Sequence, residues 1–72
     1  MSYQSLWKQF KTLRNKLVNV LCTDGQIVNG KFVDIMNEYD NEYEAIFLES
    51  GEGILIEIPV NEVALVYPVR TV

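Results

Sequence analysis

The chain has 72 residues, 49 % of them hydrophobic, and a net charge of −4. With one cysteine, Cys22, and no histidine, it excludes an intrachain disulfide, a histidine-built zinc site and a histidine-activated thiol nucleophile. No stretch approaches the ~18 consecutive apolar residues of a membrane span, and the N-terminus carries lysines where a signal peptide needs an apolar core, so a soluble cytoplasmic protein is expected.

The charge is unevenly placed. Residues 1–16 hold Lys8, Lys11, Arg14 and Lys16 with no acid, whereas residues 17–72 hold two cations against ten acids, a net of −8. An acidic body repels phosphate and a basic arm attracts it. Nucleic-acid contact is therefore expected near the N-terminal segment, unless those cations only solvate one side of a helix. Seventy-two residues make one small domain, 1–72. A chain of this size buries only about 60 % of its unfolded surface, and oligomerisation is the remaining route to extra stability.

In "SYQSLWKQFKTLRNKL" the apolar residues Leu6, Phe10, Leu13 and Leu17 recur at spacings of four, three and four, with Trp7 at the margin. That spacing predicts an amphipathic helix over 1–16, with Ser2 or Ser5 as its cap. From Leu17 the period becomes two. "LVNVLCTDGQIVNGKFVDIM" reads as a strand, a tight turn at Asp24–Gly25 and a second strand. Gly30 inside that strand marks a bulge, a bend or a close backbone approach.

Residues 37–44 come next. Glu38, Asp40, Glu42 and Glu44 alternate with Asn37, Tyr39, Asn41 and Tyr43. Period two puts the carboxylates on one side and the tyrosines on the other, the pattern of a hairpin extension with a wet acidic face and a half-buried aromatic face. The oxygens suit Ca²⁺ or Mg²⁺, but the glycine and ligand spacing of an EF-hand loop are absent.

A third strand, "EAIFLES", a turn at Gly51–Gly53, a fourth strand, "ILIEI", the turn "PVNE" and a fifth strand, "VALVYPV", complete the chain. One helix and five short strands over 17–68, the second bent, predict a mainly β fold: a small, strongly bent, SH3-like barrel, closed or nearly so. "ILIEI" and "VALVYPV" are almost wholly apolar, so an edge formed by either invites another subunit.

"VNVLCTDGQIVNGKFVDI", with glycines at 25 and 30 and apolar residues at Val18, Val20, Leu21, Phe32 and Ile35, resembles the first signature block of the Sm/LSm/Hfq-like family. "IEIPVNEVALVYP", with Ile58, Asn61 and Val63, resembles the second. The similarity covers nearly the whole chain, helix first. It implies an Sm-like barrel joined into a homo-oligomeric ring through the last two strands (Ile54–Ile58 and Val63–Tyr67) and RNA binding around a central pore. The sequence departs from that pattern at the nucleotide pocket. Met36 stands where an aspartate is usual, Pro59 and Val60 replace an Arg-Gly pair, and the acidic stretch lengthens the connection.

Lys8, Lys11 and Arg14 for phosphate, Tyr39 and Tyr43 for stacking, and Asn61 of the second block are the candidate contacts to RNA or single-stranded nucleic acid. No nucleophile with a base, phosphate loop or cofactor signature is present, so no enzyme activity, metal or cofactor is expected. The competing class is an oligomeric protein-interaction scaffold. It would use its acidic loops toward a basic partner, or the Trp7 helix as a docking surface.

Overall fold

The computed structural model describes residues 1–37 and 43–69. The chain is mainly β: a helix, α1 (Tyr3–Leu13), precedes β1 (Leu17–Cys22), β2 (Ile27–Met36), β3 (Ala45–Glu49), β4 (Leu55–Pro59) and β5 (Val63–Pro68), with a 3-10 turn at Val60–Glu62. The five strands form one antiparallel sheet in the order β4-β3-β2-β1-β5.

Ser2 starts α1. Its backbone is extended and its hydroxyl oxygen accepts from the Ser5 N–H at 3.2 Å, satisfying one of the free donors of the first turn. The expected helix over 1–16 ends three residues early. Asn15 sits at φ +63°, a left-handed conformation that asparagine tolerates better than most residues. The Asn15 N–H donates to the Phe32 carbonyl at 2.7 Å, and the Phe32 N–H donates to Lys16 at 3.0 Å. Residues 15 and 16 thus bond to β2 instead of continuing the helix. Leu17 consequently leaves the helical stripe and becomes an exposed residue of β1.

β1 and β2 pair with Val18 opposite Gly30 and Val20 opposite Val28. Their connection is longer than a two-residue turn and spans 23–26. The Cys22 N–H closes it on Gln26 O at 2.8 Å, Asp24 Oδ1 accepts from the Gln26 N–H at 3.0 Å, and Gly25 takes φ +92°. Asp24 provides the side-chain turn and glycine the positive φ, so the Asp-Gly pair keeps its expected role. At Gly30 the reason is close approach: a Cβ there would stand 3.0 Å from Leu48 Cβ and 3.1 Å from Glu49 O. Two residues on, the β2–β3 register shifts between Phe32 and Asp34, which bends the strand as bulges do.

The inner face carries one core. Leu6 and Phe10 of α1 meet Val18, Val20, Phe32, Ile35, Ile46, Leu48, Ile58, Val60, Val63 and Val66. Each such side chain stabilises by roughly 1.5–3 kcal/mol on full burial. Both terminal strands feed this core although they do not pair, so the sheet curls around it while remaining open between β4 and β5. The outer faces of those strands are not covered: Leu55 is 60 % exposed and Leu65 46 %.

Candidate nucleic-acid interface

α1 contains no acid. Docking of Leu6 and Phe10 into the core leaves Trp7, Lys8 and Lys11 exposed on the helix, with Arg14 at its end. Lys11 and Arg14 lie back over aromatic rings. Lys11 Nζ is 5.6 Å from the Trp7 ring centre and the Arg14 guanidinium carbon 5.9 Å from that of Phe10, within range of a cation–π attraction. Trp7 and Phe10 stack at 5.9 Å with 29° between planes, and Phe10 meets Phe32 at 4.9 Å. A line of three rings therefore runs from the core to a half-exposed indole flanked by positive charge. Such a pairing of an aromatic face with cations can stack a base and hold its phosphate. Trp7 was not among the candidate nucleotide contacts; its place at the margin of the apolar stripe was the signal for an exposed ring.

The other candidates gather elsewhere, on the two connections. Tyr43 is exposed and its hydroxyl donates to Glu57 Oε2. Asn61 is exposed in the 3-10 turn. The Val60 N–H donates to Glu44 O at 2.9 Å, so the end of the β2–β3 connection lies beside the β4–β5 turn. The structure brings Tyr43 and Asn61 into one neighbourhood, but Glu44, Glu57 and Glu62 share it. Their charge opposes phosphate. Tyr39 and most of the acidic extension lie outside the described residues.

Among the described residues no group of three or more His, Cys, Asp or Glu side chains could hold a metal ion. None of the described helices is long and apolar enough to cross a membrane. Cys22 is half-buried in a loop-end position, and its thiol pKa is raised by burial and then by the nearby charges of Asp24 and Glu62. A raised pKa depletes the thiolate, the reactive form. The cysteine behaves as a small apolar side chain. No family model, curated protein or solved structure matches the chain.

Proposed function

We propose that this chain is a non-catalytic, Sm-like subunit of the cytoplasm that closes into a homo-oligomeric ring through β4 and β5 and binds RNA or single-stranded nucleic acid through α1. The observation that carries the binding is the half-exposed Trp7 with Lys11 above it, on a helix without acids. One such helix is a weak ligand site, but a ring repeats it around one face, and linked weak contacts multiply through effective concentration. Ring formation is favoured by the two open, apolar sheet edges. On this reading the barrel is completed between subunits and not within one. The nucleotide contacts also move, from the connections, where Pro59 and Val60 replace a cation, to the helix.

The second reading, a protein-interaction scaffold, draws on the carboxylates around Tyr43 and Asn61, which would suit a basic partner. The two readings separate in one titration. Fluorescence anisotropy of labelled oligo-U and oligo-A should show binding whose affinity falls steeply with salt, by a log–log slope of about −0.7 per phosphate neutralised. Trp7→Ala together with Lys11→Ala and Arg14→Ala should weaken it at least about tenfold, given ~1–3 kcal/mol for a stacked base alone. No binding at low salt removes the nucleic-acid reading and leaves the scaffold.

A further inference from the structure

The outer face of β2, β3 and β4 carries a groove. Ile46 and Leu48 belong to the core, so Phe47 between them points outward. Phe47 lines the groove together with the exposed Leu55, with Val33 and Met36 of β2, and with Asp34 and Glu49. Its volume is about 360 Å³, enough for a large side chain and its neighbours. None of the lining residues is a cation. Lys31 stands opposite Glu49 in the β2–β3 register, and Glu57 stands opposite Phe47 across β3 and β4. Asp34, Glu49 and Glu57 against Lys31 leave this face negative. Asp34 is also fixed in place: its Oδ1 accepts from the Ile35 N–H at 2.8 Å, beside the register shift that turns β2.

We infer that this groove receives α1 of a second copy, with Trp7 against Phe47 and Leu55 and with Lys11 and Arg14 facing the acids Glu49 and Asp34. The chain itself carries the complementary surface. Trp7 and Lys11 share one face of α1, four residues apart, and Arg14 follows at its end. That stripe joins a half-exposed indole to two cations on a helix without acids. The groove joins an apolar lining to two carboxylates without a cation. The two surfaces are opposite in charge and alike in apolar content, which favours their pairing and disfavours groove on groove or helix on helix. α1 sits on the core side of the sheet, since Leu6 and Phe10 enter the core, whereas the groove is on the other side. A chain therefore cannot fill its own groove, and one copy's helix side meets the next copy's groove side head to tail. The contact uses the hydrogen-bonding edge of neither β4 nor β5. The stripe is also the face read above as the nucleic-acid site. On that reading the groove and nucleic acid exclude each other, so the groove of a neighbour holds the helix until nucleic acid displaces it.

Trp7 is the only tryptophan, so its emission reports the contact directly. The test follows that emission and sedimentation together over a concentration series at low salt. The wild type should shift to shorter wavelength as larger species form, and added salt should reverse both changes. Glu49→Lys and Lys11→Glu should each weaken the association about tenfold, and the two changes on one chain should recover most of the loss. Glu49→Gln keeps the size and removes the charge. It should weaken the association by a smaller factor, and it is read in place of Glu49→Lys if the latter alters the circular dichroism spectrum. A wild-type emission that stays constant at every concentration overturns the contact. So does a Glu49→Lys chain that shifts as the wild type does, or a double variant that recovers nothing. Oligo-U is then added to the associated wild type, where it should reverse the emission shift and reduce the mass. If the contact is present and oligo-U leaves it intact, the placing of nucleic acid on the Trp7 face is wrong while the groove contact stands. Oligo-U binding by Glu49→Lys in dilute solution should equal that of the wild type, which keeps the two failures apart.

Discussion

Gly30 shows how one absent atom shapes the molecule. β2 crosses β3 so closely that any side chain would press on Leu48 Cβ and the Glu49 carbonyl, neither of which is the movable end of a side chain. Gly30→Ala should therefore destabilise by about 1–3 kcal/mol, the usual cost of overpacking. Urea unfolding checks this, and an unchanged midpoint would mean that β3 can yield. An interior glycine was readable as a bulge, a bend or a close approach. Choosing among these needed the positions of Leu48 and Glu49 in β3, eighteen and nineteen residues away along the chain.

At the scale of elements, α1 is held by two residues more than by its own propensity. It has eleven residues, short for a helix that must stand alone in water, and Leu6 and Phe10 are its buried anchors. Phe10→Ala would leave Phe32 without its ring contact and open a cavity, at a cost of about 3–5 kcal/mol. Because Trp7 stacks on Phe10, the same substitution should shift the tryptophan emission to longer wavelength before the sheet unfolds. Coincident loss of both signals would instead mean that helix and sheet form one cooperative unit. The apolar spacing revealed this docking face but overran its end. Leu17 fits a 3.6-residue period as well as a two-residue one. What decides between them is the bonding of Asn15 and Lys16 to Phe32.

At the scale of the whole molecule, a five-stranded sheet wraps one core and leaves two apolar edges unpaired by each other. Ile54 and Leu55, 57 % and 60 % exposed, flank one of them, in a chain whose size gives little stability in reserve. If those edges join copies, association is linked to folding by mass action. The midpoint of thermal unfolding should then rise by several degrees for each hundredfold rise in protein concentration. A midpoint independent of concentration would place the folding stability in the single chain.

The sequence by itself determined the class of structure: a basic amphipathic helix, then five strands, three of whose four connections are marked by Asp24–Gly25, Gly51–Gly53 and Pro59. Those features rest on local periodicity, turn chemistry and the fixed φ of proline, which need no distant contact. Only the tertiary structure decided the grouping of the candidate residues. It laid Lys11 over Trp7 and set Tyr43 and Asn61 among carboxylates. It also left the sheet open between β4 and β5. These depend on how the sheet curls and which edges meet, and no spacing along a chain encodes a meeting that is set by core packing.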